Sequence, residues 1–408
     1  MAADALVYLT YILIILLLGM VCVVIAKKIK MSYIPLFILV GIVLSRISII
    51  NFPLVILTSI SILVLVVVVF DSASRFRVSK LDKLSSRALN LFVISLVANT
   101  VLLTIFTKWI FKIDSTLLAL LFAFLISGTD PLIVMAMLGK VKHSIFRLLE
   151  MESLFNTPLA VLFPFIILDL MVNTRPELAV PIFLKDFFLG LITSIGIGLL
   201  MGILVFKVIK KEHLKMLRPL TLITAVLLAY ILAENLGGNS VLVVVTMGLF
   251  FGNVHLQNRI QLMELSAMLT HFLEIVVFVL VGFSIGIISS FSLIFILKSL
   301  LLFFIYLAVR YASIHISLIR YGDFTWKEKI FMALNAQKGI AVAVVAFSLV
   351  TFKIVGSTGL ATPFIAVAGV REILDLILLF MLYSIILSTI VIRLSRHFVG
   401  VEAKEKRK

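Results

Sequence analysis

The sequence is poor in the residues on which soluble proteins and most enzymes depend. Its single cysteine, Cys22, excludes a disulfide within the chain. Charged residues make up 14% of the 408 residues, and acidic residues number 20. No HExxH, phosphate-binding glycine loop or GxSxG is present, which argues against a zinc protease, a nucleotide-driven pump and a serine hydrolase. We expect a protein that is not an enzyme and that holds no cofactor.

Apolar residues are what the chain has in excess. Hydrophobic residues make up 62% of it, with a mean hydropathy of +1.26, whereas soluble domains contain about 45–50% apolar residues. Runs of about 20 apolar residues, long enough to cross a bilayer, recur throughout. They predict an all-α polytopic membrane protein, a single membrane domain over 1–408, with thirteen spans near 5–26, 33–50, 52–70, 87–107, 116–139, 149–173, 180–206, 219–236, 240–253, 265–288, 290–318, 328–351 and 372–392.

Basic residues are distributed unevenly between the predicted loops. The formal net charge is +16, but most of the 36 Lys and Arg residues fall in alternate connections and in the tail 395–408. This alternation fits the positive-inside rule rather than nucleic-acid binding, and it places the N-terminus outside and the C-terminus in the cytoplasm. The tail is expected to anchor the inner face, and its shortness suggests a multi-pass protein of a prokaryotic cell (plasma) membrane.

The fifth predicted span contains a carboxylate beside helix-breaking residues. Asp130 follows Gly128 and Thr129 and precedes Pro131. A carboxylate at bilayer depth is costly unless it faces a cavity or a partner, and proline interrupts a helix. Broken helices at mid-membrane are where transporters bind ions, so we expect Asp130 and Thr129 to contact Na⁺ or Li⁺. Asp130 is also suited to capping the second half-helix, and the two roles are compatible.

A second interruption falls seven spans later, where 335–339 reads Asn-Ala-Gln-Lys-Gly in span twelve. An odd offset means that the two halves run in opposite senses through the membrane. The pattern predicts two inverted six-helix repeats, spans 1–6 and 8–13, with the region 174–215 as a linker helix. The interrupted helices would then cross at mid-membrane around a binding site.

Other polar residues within spans are candidates for the same site. Glu152, Ser153 and Asn156 share one face of span six at helical spacing, although such a stripe could also be only a helix–helix seam. Arg310 is a natural partner for Glu152, which would stay ionised in a structural pair. Lys338 could pair with Asp130 or bind half-helix ends. Asp71 is either a solvated helix-end acid or part of the inner mouth. Glu274 is expected to be structural or modulatory, and Lys338 modulatory.

These motifs together resemble the monovalent cation:proton antiporters, in their electroneutral Na⁺/H⁺ exchanger branch. The resemblance rests on 128–131, on the segment 152–156, on Asp71 after Phe70, and on Arg310 and Lys338, with lysine where arginine is usual. It implies a core of 87–173 and 290–394 that moves like an elevator against a scaffold of 1–70 and 216–288. It also implies that the protein forms a homodimer in a lipid bilayer and that its partners are monovalent cations and protons. Na⁺ is expected to bind at Asp130, Thr129 and Ser153.

One position departs from that family's pattern. Thr157 follows Asn156 where the family usually has the aspartate that carries the proton or the cation, and a threonine cannot release a proton near neutral pH. Asp130 is our first candidate to replace it, Asp71 the second and Glu152 the third. The alternative is a transporter of the same fold whose proton coupling is lost or altered. A non-transporting membrane scaffold is disfavoured because so many polar residues persist within the spans.

Overall fold

The protein is described from a computed structural model. It describes residues 2–29, 32–47, 54–77, 83–130, 144–173, 180–209, 218–254, 259–288, 292–319, 324–351, 353–355, 361–363, 367–395 and 398. Pro131 and the rest of the fifth predicted span lie outside these residues, as does most of the basic tail.

Helices make up nearly all of the described chain. In order, they are α1 (Ala2–Ile29), α2 (Ile34–Arg46), α3 (Leu54–Arg75), α4 (Lys83–Phe111), α5 (Thr116–Ser127), α6 (Ser144–Asn173), α7 (Val180–Ile209), α8 (Arg218–Asn235), α9 (Ser240–Asn253), α10 (Arg259–Ile288), α11 (Leu293–Leu318), α12 (Trp326–Leu334), α13 (Ile340–Thr351) and α14 (Val370–Arg393). Among the described residues, seven helices are long and apolar enough to cross a membrane.

The predicted all-helical membrane class is confirmed, with one small addition. Each predicted span contains a helix, and the twelfth is divided between α12 and α13. Two three-residue strands follow, β1 (Lys353–Val355) and β2 (Ala361–Pro363), paired antiparallel with Ile354 opposite Thr362. The sequence did not predict this hairpin, because three residues are too few to show an alternating pattern.

Polar residues at helix starts satisfy backbone groups that have no partner inside the helix. Ser115 accepts a hydrogen bond from the Leu118 N–H at the start of α5, and Ser292 does the same for Phe295 in α11. Thr325 begins α12 with a reciprocal capping box. Unsatisfied backbone groups are costly in an apolar environment, so these caps help to fix where each helix begins.

Close helix packing is achieved where glycine removes the side chain. Gly282 of α10 lies against α2, and a Cβ atom added there would be 2.9 Å from the Cα of Ile38. Small residues let helix backbones approach in this way in membrane proteins. The result is an extensive α2–α10 contact, and α3 packs similarly on α9.

Helices α3, α4 and α14 pack beside the two interrupted segments. Helix α4 contacts α5, α6 and α11, while α14 packs on α5. On the other side, α3 lies against α13, where the Ser61 and Ser348 hydroxyl oxygens are 2.8 Å apart. The division into a core and a scaffold stays a prediction, but these contacts fix where the site lies, between α3, α5, α6 and the α12–α13 interruption.

Candidate functional site

The two interrupted segments cross and are joined by their main chains. Helix α5 ends at Ser127, and α12 and α13 leave 335–339 non-helical. The Asp130 N–H donates to the carbonyl oxygen of Gln337 at 3.0 Å. A Cβ atom on Gly339 would overlap the Asp130 side chain, so glycine is required for this approach. The crossing therefore places Asp130 directly against the second interruption.

Each carbonyl at the end of α5 has a hydrogen-bond partner. Two are satisfied locally, since Phe124 O accepts from Ser127 Oγ and Leu125 O from the Gly128 N–H. The other four accept from buried side chains of other segments: Ser127 O from Asn156 Nδ2 at 2.6 Å, Thr129 O from Ser153 Oγ at 2.8 Å, and both Ile126 O and Gly128 O from Lys338 Nζ. Because buried backbone groups require partners, these side chains hold the interruption in one shape.

Lys338 is the cation at the centre of this arrangement. Its side chain is 0% exposed. Besides Ile126 O and Gly128 O, its Nζ donates to the Tyr306 hydroxyl at 2.6 Å and lies 4.4 Å from the centre of the Tyr306 ring. Of the two partners left open for Lys338 by the sequence, these contacts correspond to the half-helix end.

The second interruption is held by two serines of α14. Ser384 Oγ accepts from the Lys338 N–H at 3.2 Å, and Ser388 Oγ donates to Leu334 O at 3.4 Å. The two hydroxyls are one helical turn apart on a helix that is otherwise apolar here. Helix α14 thus supplies partners to backbone groups that the break in span twelve removes from a helix.

Glu152 and Arg310 form a two-pronged ion pair. Arg310 Nη1 lies 3.0 Å from Glu152 Oε1, and Nη2 lies 3.2 Å from Oε2. Both side chains are at most 1% exposed. A buried charge is tolerated when it is paired and hydrogen-bonded. This pair links α6 to α11, and both carboxylate oxygens of Glu152 are engaged by Arg310.

A cavity of about 570 Å³ reaches the crossing. Residues of both interruptions line it, among them Gly128, Thr129, Asp130 and Gly339, together with Ser153 and Thr157 of α6. Asp71 also lines this cavity, with Arg75, Arg77, Arg147 and Glu150. The structure therefore places Thr129, Asp130, Ser153, Thr157 and Asp71 around one cavity. Asn156 does not line the cavity and supports it through its hydrogen bond to Ser127 O.

The hydroxyl groups of Ser153 and Thr157 are oriented by their hydrogen bonds. Ser153 donates to Thr129 O, and Thr157 Oγ1 donates to Ser153 O at 2.8 Å. The two hydroxyl oxygens are 3.4 Å apart. Since each hydroxyl has one proton and that proton is directed to a carbonyl, both oxygens present lone pairs to the cavity.

Two further predicted residues have partners of their own. Asp71 is 5% exposed and bonds Arg75, one turn later in α3, with 2.6 Å between Oδ2 and Nη2. Glu274 lies 3.2 Å from the Tyr33 hydroxyl and 3.2 Å from His271 Nδ1. Glu274 therefore ties α10 to the start of α2.

Several residues of the site were not identified from the sequence. Tyr306, Ser384 and Ser388 bind the interruptions, and Glu150 lines the cavity. The first three carry single hydroxyl groups in largely apolar helices, and such a group alone does not indicate a role. Glu150 precedes Glu152 by two residues, and its position at the span end resembled that of an ordinary surface acid.

The comparisons with known proteins identify the family of this chain. The family profile described as "Sodium/hydrogen exchanger, transmembrane" matches residues 12–395. The chain belongs to the sodium/hydrogen exchanger family. It is therefore a multi-pass membrane protein from a family of transporters, not of enzymes, and the resemblance noted in its motifs is confirmed.

Individual members of the sodium/hydrogen exchanger family are distant relatives of this chain. The K(+)/H(+) antiporter NhaP2 of a Shewanella species is 24% identical over 291 residues, covering 70% of this chain and 50% of that protein. The low-affinity Na(+)/H(+) antiporter NhaS1 of Synechocystis is 32% identical over 182 residues, covering 42% and 34%. The matches with these two relatives thus span half of their length or less.

A solved structure shares the fold of this exchanger-family chain. The sodium proton antiporter MjNhaP1 from Methanocaldococcus jannaschii, at pH 8, superposes with a TM-score of 0.73, covering 95% of this chain and 96% of that one, at 20% identity. The likeness extends over nearly the whole chain, which confirms the predicted fold class.

Proposed function

We propose that the protein is a secondary antiporter that exchanges Na⁺, or Li⁺ or K⁺, for H⁺ across the cell membrane, with Asp130 as the shared carboxylate. The observation that carries this proposal is the cavity of about 570 Å³ that reaches Asp130 at the crossing of two interrupted helices. Thr129, Ser153 and Thr157 line the same space. A carboxylate with neutral oxygens around it suits a monovalent cation.

The coupling follows from charge. Asp130 bound to a proton and Asp130 bound to one monovalent cation have the same net charge, while the empty carboxylate carries one more negative charge. Moving that empty charge through an apolar barrier is costly. Only the loaded forms cross, which gives exchange of one cation for one proton.

Thr157 acts as a ligand rather than as a proton carrier in this proposal. Its hydroxyl proton is directed to Ser153 O, so its oxygen faces the cavity as an acceptor. Ser153 is arranged in the same way through Thr129 O. Asp130 supplies the charge that the family usually takes from the aspartate at this position, and Thr129, Ser153 and Thr157 supply neutral oxygens for Na⁺.

The other acids have different roles. Glu152 has a structural role, because both of its carboxylate oxygens bind the Arg310 guanidinium. Asp71 is paired with Arg75 but lines the cavity, and it serves as a second negative charge on the route to Asp130. Glu274 modulates the site from α10 through its contacts with Tyr33 and His271.

The direction of access follows from the positive-inside pattern. Arg75, Arg77 and Arg147 line the cavity, and they belong to loops that the charge pattern places in the cytoplasm. The described state is then open to the inside. Exposure to the other side requires the core, with α4–α6 and α11–α14, to move against a scaffold that forms the homodimer.

A second candidate function is transport by the same fold without proton coupling. The observation that favours it is the hydroxyl at Thr157, since this chain has one carboxylate fewer beside Asp130 than the family pattern. In that case Asp130 would bind the cation but would never need to take up a proton to complete the cycle.

Proton flux in proteoliposomes tests the proposal. Vesicles with an acid interior and a pH-sensitive dye receive Na⁺, Li⁺, K⁺ or choline in turn. We expect cation-dependent collapse of the pH gradient by the wild type and its loss in Asp130→Asn. Glu372→Gln is the matched control, because Glu372 is an exposed acid at the start of α14, and it should behave as wild type.

Two other results would decide against the proposal. A wild type that takes up isotopic Na⁺ without moving protons would favour uncoupled transport, most clearly if Thr157→Asp restored proton movement. Loss of exchange in Asp71→Asn with full activity in Asp130→Asn would transfer the role of shared carboxylate to Asp71.

A further inference from the structure

The ammonium group of Lys338 is surrounded by neutral oxygens rather than by a carboxylate. Its hydrogen bonds run to Ile126 O, Gly128 O and the Tyr306 hydroxyl, the last at 2.6 Å. An ammonium group has three N–H donors, and here each has an acceptor. The ammonium group of this fully buried side chain thus has three oxygen acceptors for its three N–H donors.

These oxygens are of the kind that bind free monovalent cations. Backbone carbonyls replace the hydration shell of K⁺ in channel filters, and the face of a tyrosine ring attracts a cation, here at 4.4 Å from Nζ. The two carbonyls belong to the carboxyl end of α5, which carries the negative end of the helix dipole. In composition and charge, the surroundings of Lys338 Nζ are a cation site.

We propose that Ile126 O, Gly128 O and Tyr306 form a second, internal site for a monovalent ammonium-class cation, and that the Lys338 ammonium is its resident occupant. The site is distinct from the one at Asp130, because its ligands are the carbonyls before Thr129 and a residue of α11. A free alkylammonium ion of the right size replaces the side chain when the side chain is removed.

The resident cation also positions the transport site. Ile126 and Gly128 lie within three residues of Thr129, and without a donor their carbonyl oxygens would be buried acceptors with no partner, which is costly. The segment would then shift to find other donors. This consequence rests on the proposed function, whereas the existence of the internal site does not.

A further consequence concerns the number of ions carried. While Lys338 occupies the carbonyls, a transported Na⁺ or K⁺ cannot use them. In this proposal the exchangeable cation binds at Asp130, and Lys338 provides a fixed positive charge beside it.

The proposal is tested by truncating Lys338 and adding a free ion that corresponds to the removed atoms. Lys338→Ala removes the side chain beyond Cβ, and n-propylammonium restores the same three carbons and the ammonium group. Gly128 and Gly339, which flank the site in sequence, line the cavity, so the cavity reaches the backbone next to the position that the ion would fill. Thermal unfolding of the purified variant in detergent is followed against n-propylammonium concentration. We expect a lower Tm than in wild type and a rise that is linear in the logarithm of ligand concentration at saturation.

Three controls distinguish a cation site from a filled space. 1-Propanol has the same carbon chain without the charge, and tetramethylammonium has the charge without N–H donors, so neither should raise the Tm of Lys338→Ala. Lys338→Met fills the space with a neutral side chain and should not respond to n-propylammonium. Equal stabilisation by 1-propanol, or equal responses of the Ala and Met variants, would overturn the proposal.

Recovery of folded protein covers the case in which Lys338→Ala is too unstable to purify. Membranes are then solubilised with and without n-propylammonium, and the yield of monodisperse protein is compared. A higher yield with the ion but not with 1-propanol supports the site. A variant that stays unfolded in both conditions contradicts it, because the ion then does not replace the side chain.

Transport supplies an independent second readout. Equilibrium exchange of isotopic Na⁺ is measured at equal pH on both sides, where a weak base cannot create a false signal by collapsing a gradient. We expect n-propylammonium to restore exchange by Lys338→Ala at least in part. Absence of exchange in the wild type itself would count against the proposed antiport and leave the Tm result as the measure of the internal site.

Discussion

The Asp130 N–H donates to the Gln337 carbonyl oxygen at 3.0 Å, so the segment after α5 is joined main chain to main chain to the interruption between α12 and α13. A bond of this kind fixes the carboxylate relative to the second interruption without using its side-chain oxygens. Asp130 is thereby positioned by backbone geometry while its carboxylate lines the cavity.

Glycine at position 339 is expected to be indispensable for transport. In Gly339→Ala the added Cβ would overlap the Asp130 side chain, and overpacking of this kind costs about 1–3 kcal/mol. We expect isotopic Na⁺ uptake to fall by about tenfold or more. Gly196→Ala is the control, because a Cβ on Gly196 of α7 meets nothing within 4 Å; equal losses in both variants would contradict the prediction.

Breaking the Glu152–Arg310 pair is expected to destabilise the protein strongly. Arg310→Met leaves Glu152 buried and unpaired, which costs about 3–5 kcal/mol. The double variant Arg310→Met with Glu152→Gln should be more stable than Arg310→Met alone, because it no longer buries a charge. The free energies of unfolding of the wild type, Arg310→Met, Glu152→Gln and the double variant form a double-mutant cycle. Additive effects would show that the two side chains do not depend on each other.

The hydroxyl at position 157 is expected to matter more than its methyl group. Thr157→Ser keeps the hydrogen bond to Ser153 O and the oxygen in the cavity, so cation affinity should be nearly unchanged. Thr157→Val removes a neutral ligand of a charged partner, worth about 1.5–3 kcal/mol, and should raise the KM for Na⁺ by about tenfold or more. Equal KM values for the Ser and Val variants would remove Thr157 from the ligand set.

Cation affinity is expected to depend on pH in one direction. Below the pKa of the shared carboxylate, Asp130 is increasingly protonated and the cation must displace a proton. The KM for Na⁺ should therefore rise as pH falls, with a limiting slope of about tenfold per pH unit for one proton against one cation. Uptake kinetics with equal pH on both sides of the membrane measure this slope. A flat profile would indicate that proton and cation do not compete.

Much of the site was predictable because the cost of polar groups in a membrane leaves a strong signal. Gly128 with Asp130, and 335–339, indicated both interruptions, and Glu152 with Arg310 indicated a pair. The sequence left two partners open for Lys338, since its choice depends on how α5 ends in space. Tyr306 and Ser384 could not be assigned, because a single hydroxyl in an apolar helix is usually compatible with many environments.

The contact between α3 and α13 bears on how easily one part of the protein can slide past the other. Valines form much of the buried face of α3, from Val64 to Val69, and α13 contributes small and branched residues such as Ala343 and Val345. Side chains of this kind form no hydrogen bonds, so they do not hold the two helices in one relative position. The Ser61–Ser348 pair favours one register by about the value of a single hydrogen bond, 0.5–1.5 kcal/mol. Thermal energy alone is then enough to release that bond. In the proposed mechanism, the rate at which α13 moves past α3 therefore depends on the ions that neutralise Asp130.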